Sequence, residues 1–365
     1  MKRKGTAVLL SMAVTLSLLA GCSSSTTGNS TATQSSQAAA SGSEQAGGSG
    51  TPLTSDQHFT MRCSYDVPAG GSMARAIEHF EELVNADPEL SQILDVQLFP
   101  GAQLYKADET LDATLRGDIE LGMFTTWYAD SVLPYSSTFD LPLLFDNVEE
   151  MIKFVNESEL AAEVWAPFEE IGGHCFGGTV TGEYGLLTSG AVVEKPEDCA
   201  GLLIRSTGDG SLTWSTLGAS PVNLSAGDIF TGLQRKTIHA ADIGPISVKD
   251  RNLYEVSDFY LHTFFHSTLS IYVVNKAWWD QLPDDVAARI EQYMVESIKY
   301  CNDFVSGDME TALQLMEENG ITIFTPTPEE RQVWRDALEP VYQQIGYDKM
   351  GKEYMDKLLE WCEAN

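Results

Sequence analysis

One arginine stands where its chemistry could bind a small anion. Arg205 closes the short apolar stretch GLLIR (residues 201–205), a pattern that predicts a strand ending in a positive charge. A guanidinium can hold a carboxylate through two parallel hydrogen bonds, and it stays charged when water is removed from it. An arginine at a strand end is more often a surface charge paired with an acid. The residue alone therefore leaves a surface ion pair and a carboxylate site both open.

Motifs of enzyme chemistry are largely absent from the sequence. There is no G-x-S-x-G or H-E-x-x-H, the six histidines are scattered, and no cysteine pair has C-x-x-C spacing. Residues 346–352 read G-x-x-x-x-G-K, but Glu353 follows where a P-loop needs Ser or Thr. We therefore predict that the protein is not an enzyme and uses no metal or cofactor.

The N-terminus predicts export and a lipid anchor. Basic residues at positions 2–4 precede an apolar run over 7–20, which is shorter than the roughly 20 residues needed to span a bilayer. The run ends in LAGC (19–22), which resembles the bacterial lipobox, a signal whose cysteine is acylated. We interpret residues 1–21 as a lipoprotein signal peptide and Cys22 as the lipidation site. The protein is expected outside the cytoplasm on the outer face of the cell membrane, and in the periplasm if the cell is Gram-negative.

Residues 22–55 form a tether in this interpretation. They are almost entirely Ser, Thr, Gly, Ala and Gln, which cannot bury enough apolar surface to fold. A flexible coil of this length spans on the order of 30 Å.

The charge of the chain limits its partners. The formal net charge is −31, which excludes nucleic acid and repels anionic ligands at long range. An acidic ligand would therefore need a local cation to hold it.

Strand and helix patterns alternate along the rest of the chain. Short apolar runs predict strands over residues 59–63, 96–99, 119–124, 175–179, 201–205, 238–242 and 268–274. Helical spacing predicts helices over residues 73–84, 106–115, 148–156, 159–171, 209–217, 226–234, 284–319 and 328–364. This alternation predicts an α/β fold with mainly parallel sheets.

Several blocks carry a family resemblance. The first group contains FPGAQL (99–104), LRGDIELG (115–122) and LPLLF (141–145). The second contains PEDCAGLLIR (196–205), LGASP (217–221) and DIFTGLQ (228–234), and Asn275, Trp278, Leu282 and Pro283 follow. In order and spacing they resemble the solute-binding proteins of TRAP transporters, the tripartite ATP-independent periplasmic systems of the DctP type. The resemblance covers residues 59 to about 316.

The resemblance implies an α/β, two-lobed fold like that of periplasmic binding proteins, with a ligand cleft. It places residues 56–182 and about 268–308 in lobe I, and residues 183–267 and about 309–365 in lobe II. The helix predicted over 284–319 would be the long helix that spans both lobes.

The resemblance also implies a function. Such proteins capture a small organic acid in the cleft and deliver it to a membrane permease that an ion gradient drives. A monomer is expected, because the protein must open and dock. Arg205 matches the arginine that in this family pairs with the ligand carboxylate. Further ligand-binding candidates are Asp66, Lys106, Thr125, Trp127, Tyr184 and Asp242.

Two candidate positions depart from the family pattern. Tyr184 stands where many members have a second arginine, and the segment IHAAD (238–242) replaces the usual vDG-x-E. An acid at Asp242 would disfavour a dianionic ligand. We therefore expect a monocarboxylate with polar or aromatic groups rather than a simple dicarboxylate.

Other functions share some of these features. An ABC-type substrate-binding lipoprotein would also have the signal, the tether and two lobes, but the block pattern and Arg205 argue against it. A secreted lipoprotein enzyme would need a nucleophile or metal motif. A sensor module that feeds a kinase stays open.

Overall fold

The computed structural model describes residues 57–365, so the predicted signal peptide, Cys22 and the whole of the predicted tether lie outside the described residues. The strands are β1 (Phe59–Ser64), β2 (Leu94–Phe99), β3 (Leu121–Thr125), β4 (Gly173–Val180), β5 (Tyr184–Thr188), β6 (Leu203–Arg205), β7 (Ser220–Val222), β8 (Ala240–Ile243), β9 (Phe259–His266), β10 (Leu269–Asn275) and β11 (Thr322–Phe324).

The α-helices are α1 (Arg75–Ala86), α2 (Ala107–Arg116), α3 (Val148–Glu157), α4 (Glu159–Trp165), α5 (Phe168–Ile171), α6 (Gly210–Thr216), α7 (Ile229–Gln234), α8 (Pro245–Asp250), α9 (Lys276–Trp279), α10 (Asp284–Asn302), α11 (Val305–Glu318), α12 (Pro328–Val341) and α13 (Lys352–Ala364). A π-helical segment, Tyr342–Met350, joins the last two. Within residues 57–365, none of the helices has the length and apolar character that a membrane span requires.

The strands form two mixed sheets. Sheet A has the order β2-β1-β3-β10-β4, and sheet B has the order β11-β9-β5-β8-β6-β7. The predicted α/β class is confirmed. Every antiparallel pair involves β10 or β5, and the other pairs are parallel. Helices cover the sheets, so a strand such as β10 is buried along all seven residues and is recognisable in the sequence as a continuous apolar run.

The chain crosses between the sheets at two short connections. One joins β4 to β5 through residues 181–183, and the other joins β9 to β10 through residues 267–268. The two crossings are bonded to each other: the backbone N–H of Thr181 donates to Thr268 O over 3.1 Å, and Ser267 Oγ donates to Gly182 O over 2.7 Å. These bonds hold the two sheets at a fixed junction beside the cleft described below.

The long helical stretch predicted over residues 284–319 is present, with one interruption. Residues 303–304 separate α10 from α11, whereas Gly307 lies inside α11. Helix α10 packs on α1 and β4 of sheet A, while α11 packs on α8, which follows β8 of sheet B. The helical pair therefore extends over both sheets.

The C-terminal helices contact elements from both halves of the chain. Helix α12 packs against α6, and the Trp361 ring of α13 lies 5.0 Å from the Phe154 ring of α3. The predicted lobe boundaries stay a prediction.

Candidate functional site

A cleft lies where several strands end. The loops after β1 and β3, the last residue of β6, the end of β8 and the first residue of β5 all reach it. Ligands of open α/β sheets commonly bind at the carboxyl ends of the strands. The cleft is lined by apolar side chains together with a few polar and charged ones, a composition that is common in small-molecule sites. Its polar and charged lining side chains are Asp66, Thr125, Trp127, Tyr128, Tyr184, Arg205, Ser247, Arg251 and Ser270.

Arg205 is buried in the wall of this cleft and is only 3% exposed. Strand β6 is fixed between β7 and β8, so the side chain projects from a paired strand. Its Nε donates to Leu224 O over 3.0 Å, and its guanidinium carbon lies 5.3 Å from the centroid of the Trp127 ring. Among residues 57–365, no carboxylate lies within 4.0 Å of this guanidinium, and its two terminal nitrogens make no hydrogen bond. The arrangement leaves two charged donors available to an anion.

The cleft also contains a second arginine that the sequence patterns do not indicate. Arg251, directly after α8, donates from Nη2 to Asp66 Oδ2 over 2.9 Å. Both side chains are largely buried, at 11% and 13% exposure. The pair links the loop after β1, on sheet A, to the end of α8, beside sheet B. Unlike Arg205, Arg251 is therefore already neutralised by a protein carboxylate.

Aromatic rings form one wall of the cleft. The Trp127 ring lies 5.4 Å from Tyr184 and 5.3 Å from His266, and Tyr184 is also 5.3 Å from His266. Burial raises the pKa of Tyr184 to about 12, so its hydroxyl stays neutral. Tyr184 does line the cleft, and it supplies a hydroxyl and an aromatic face there instead of a second charge.

Asp242 lies behind the cleft lining. Its carboxylate is fully buried and accepts hydrogen bonds from Trp214 Nε1 at 2.7 Å, from Ser206 Oγ at 3.1 Å and, with the ring proton on Nε2, from His266 at 2.8 Å. These three bonds occupy the carboxylate within the protein, so the charge supports the wall and is not presented to the cleft. Repulsion of a dianion by Asp242 is consequently weaker than the sequence suggests.

The remaining candidates fall at different places. Thr125, the last residue of β3, lines the cleft. Asp66, in the loop after β1, lines it as well. Lys106 is exposed directly before α2, where its backbone N–H donates to Glu109 over 3.2 Å. It is not among the residues that line the cleft. The structure thus brings together Arg205, Asp66, Thr125, Trp127 and Tyr184, with Asp242 behind them.

Some buried polar atoms of the lining have no hydrogen-bond partner among residues 57–365. They are Ser270 Oγ, Tyr128 Oη, Arg251 Nε and Trp127 Nε1, of which the last points toward Asp140. Buried polar groups in proteins are nearly always paired, so unpaired ones around a cavity indicate a polar occupant. These groups could bind hydroxyl or carbonyl groups of a ligand whose carboxylate contacts Arg205.

A family model matches most of the chain. The bacterial extracellular solute-binding protein, family 7 (DctP), matches residues 63–349. The chain is also similar to the C4-dicarboxylate-binding periplasmic protein DctP of Rhodobacter capsulatus. The two are 28% identical over 305 residues, which make up 79% of this chain and 85% of the relative.

Solved structures share the fold. A TRAP periplasmic solute binding protein from Ochrobactrum anthropi aligns with a TM-score of 0.74 and 25% identity, covering 84% of this chain and 96% of that one. The sugar acid binding protein DctPAm from Advenella mimigardefordensis, solved in complex with galactonate, aligns with a TM-score of 0.79 and 22% identity. That alignment covers 84% of this chain and 99% of the other.

Arg251 is paired with Asp66, whereas Arg205 is unpaired among the described residues. We therefore expect substitution of the two arginines to change the free energy of unfolding differently. In ligand-free protein, Arg205→Met removes a buried charge and one hydrogen bond, two effects that roughly offset each other. We expect an unfolding free energy that is unchanged or about 1 kcal/mol higher. Arg251→Met leaves Asp66 buried and unpaired, and we expect a loss of about 1 to 3 kcal/mol.

Urea unfolding of both variants and the wild type, after bound ligand has been removed by unfolding and refolding, measures this difference. If Arg205→Met proves the more destabilising of the two, Arg205 is a structural residue and the argument for a free cation in the cleft is wrong.

Proposed function

The chain belongs to the bacterial extracellular solute-binding proteins of family 7, as its sequence blocks indicate, and we propose that it captures a hydroxylated monocarboxylate for a TRAP transporter. The observation that carries this proposal is the unpaired, buried guanidinium of Arg205 in a cleft whose other arginine is already paired. A monocarboxylate would neutralise the one remaining charge and satisfy both terminal nitrogens of Arg205.

The polar lining supports a ligand with hydroxyl groups. Ser270 Oγ, Tyr128 Oη and Arg251 Nε are buried without hydrogen-bond partners in the part of the chain that the structure describes, and Trp127 offers a flat face beside Arg205. Such groups suit a sugar acid, the class of ligand bound by the similar protein from Advenella mimigardefordensis. A ligand without hydroxyl groups would leave these atoms unsatisfied, which costs binding free energy.

A C4-dicarboxylate is the second candidate. The relative from Rhodobacter capsulatus is named for such ligands, and Arg251 would be a cation for a second carboxylate. That carboxylate would have to displace Asp66 from Arg251 or share the guanidinium with it, although Asp66 Oδ2 already accepts from Nη2 over 2.9 Å. Two carboxylates on one guanidinium repel each other, so we favour the monocarboxylate.

A thermal-shift screen tests the ligand class. Galactonate, succinate and neutral galactose are compared on refolded wild type, on Arg205→Ala and on Arg116→Ala, which removes an exposed arginine paired with Asp118. A ligand at 100 times its dissociation constant stabilises by about 2.7 kcal/mol, which is a shift of several degrees. We expect galactonate to shift wild type and Arg116→Ala, and not Arg205→Ala.

Equal shifts in the wild type and Arg205→Ala would contradict the role of Arg205. A shift with succinate alone would replace the proposed ligand class with the dicarboxylate. Stabilisation by galactose as strong as by galactonate would contradict carboxylate recognition altogether.

We also propose that the protein serves transport and does not catalyse a reaction. Relatives in this family are solute-binding transport proteins, so we propose a monomer that is not an enzyme and that docks on a TRAP membrane permease. This membership argues against the ABC-type alternative.

Recovery of the bound acid chemically unchanged by mass spectrometry supports binding without turnover, and a converted product would contradict it. Light scattering tests the monomer.

Lipid anchoring through Cys22 is the remaining part of the proposal, and it places the protein on the outer face of the membrane. The lipobox-like LAGC supports it. Cys22→Ser is expected to abolish incorporation of labelled palmitate and to shift the protein from the membrane fraction to the soluble fraction. Cys63→Ser is the matched control, because Cys63 is a buried free thiol. Unchanged labelling in Cys22→Ser would contradict the anchor.

A further inference from the structure

Three aspartates meet beside the cleft without enough positive charge to balance them. Asp130, Asp140 and Asp209 each offer a carboxylate oxygen, and these oxygens all lie within 4.8 Å of one another. Asp130 and Asp140 follow β3 of sheet A, whereas Asp209 lies between β6 and α6, beside sheet B. The fold thus brings together Asp130 and Asp209, which are 79 positions apart in sequence.

The protein donors around the cluster are already directed to two of the three acids. Asp130 accepts from Ser136 Oγ at 2.9 Å and from the backbone N–H of Asp209 at 3.0 Å. Asp209 accepts from Ser137 Oγ and Lys349 Nζ, both at 2.5 Å. The Lys349 ammonium is the one cation that contacts the cluster among the described residues.

Asp140 receives none of these donors. Its carboxyl group is fully buried, neither oxygen accepts a hydrogen bond of normal geometry from residues 57–365, and the Asp130 carboxyl lies close enough to share a proton with it. The indole nitrogen of Trp127 approaches it but is likewise without a hydrogen bond of normal geometry. A buried carboxylate with no donor is costly, because burial removes its water and nothing in the protein replaces it. This unpartnered group points to an occupant that supplies positive charge.

We propose that Asp130, Asp140 and Asp209 bind a calcium ion. Carboxylate, carbonyl and water oxygens are the ligands that calcium prefers, and the cluster is compact enough for one ion to contact all three acids at about 2.4 Å. When all three carboxylates are ionised, they and the Lys349 ammonium carry a net charge of −2, which a divalent cation neutralises. The hydroxyls of Ser136 and Ser137 lie beside the same acids and would complete the site together with water.

The backbone near the cluster is shaped to bring the acids together. Gly208 has a φ of +57°, and a Cβ at that position would lie 2.1 Å from Asp130 Oδ2 and 3.0 Å from Trp127 O. Only glycine allows the 208–209 turn to approach the loop after β3 so closely. A bound ion would therefore connect the two sheets directly behind Trp127, the residue that stacks on Arg205.

Protons are the competing occupant. Burial raises the pKa of Asp130 to about 6, and it raises the pKa of Asp140 well above its usual range. A protonated Asp140 would carry no charge and would need no metal. A direct titration with calcium separates the two states, because only the metal site binds the ion with a defined stoichiometry.

The test is isothermal titration of calcium chloride into chelator-treated protein at neutral pH, with magnesium chloride as the comparison. The strongly acidic surface binds calcium weakly at many places, so the matched control is Asp118→Asn, which removes one charge from an exposed ion pair. We expect one saturable calcium per chain in the wild type and in Asp118→Asn. In Asp140→Asn we expect at least about a tenfold weaker affinity, because one charged ligand is lost.

Asp209→Asn provides a second variant if Asp140→Asn does not fold, because the Asp209 side chain is 25% exposed and an amide keeps its shape. It should weaken calcium binding likewise. The proposal is wrong if the wild type shows no saturable site, or if the cluster variants bind calcium as Asp118→Asn does. An equal affinity for magnesium would overturn the assignment to calcium.

Discussion

The organisation of the cleft depends on a buried guanidinium that the carboxylates of residues 57–365 leave unpaired. Arg205 is fixed by strand pairing, by one hydrogen bond to Leu224 and by the face of Trp127, while both terminal nitrogens remain open to the cleft. A chain with a net charge of −31 has many acids that could pair with this cation. Keeping them away costs stability, and that cost can be recovered when a ligand carboxylate enters.

Charges elsewhere around the cleft are arranged to leave Arg205 as the binding cation. Asp66 neutralises Arg251, and Asp242 is held by three donors behind the wall. Both arrangements also connect parts of the chain that belong to different sheets or strands. The two crossings near Thr181 and Thr268 join the sheets at a short junction whose backbones are bonded to each other.

Many of the strands and cleft residues could be predicted from the sequence, because short runs of residues specify them. The strand ending in Arg205 follows from five consecutive residues, and the central strand β10 follows from its apolar run. Strands β5 and β9 were not predicted, because glycine in the first and polar residues such as His262 in the second interrupt the pattern. Arg251 and the aspartate cluster could not be predicted, since their partners are distant in sequence and only the fold brings them together. Lys106 was predicted to bind the ligand because it matches a ligand-binding position of the family, but its side chain is exposed to solvent here.

The central claim is that the open nitrogens of Arg205 receive the ligand carboxylate. A crystal structure of the protein with the acid that stabilises it most tests this directly. The account predicts two carboxylate oxygens at about 2.8 Å from the terminal nitrogens of Arg205, with the Asp66–Arg251 pair intact. A ligand whose carboxylate lies elsewhere, with Arg205 paired to an aspartate or glutamate of the protein, would contradict it.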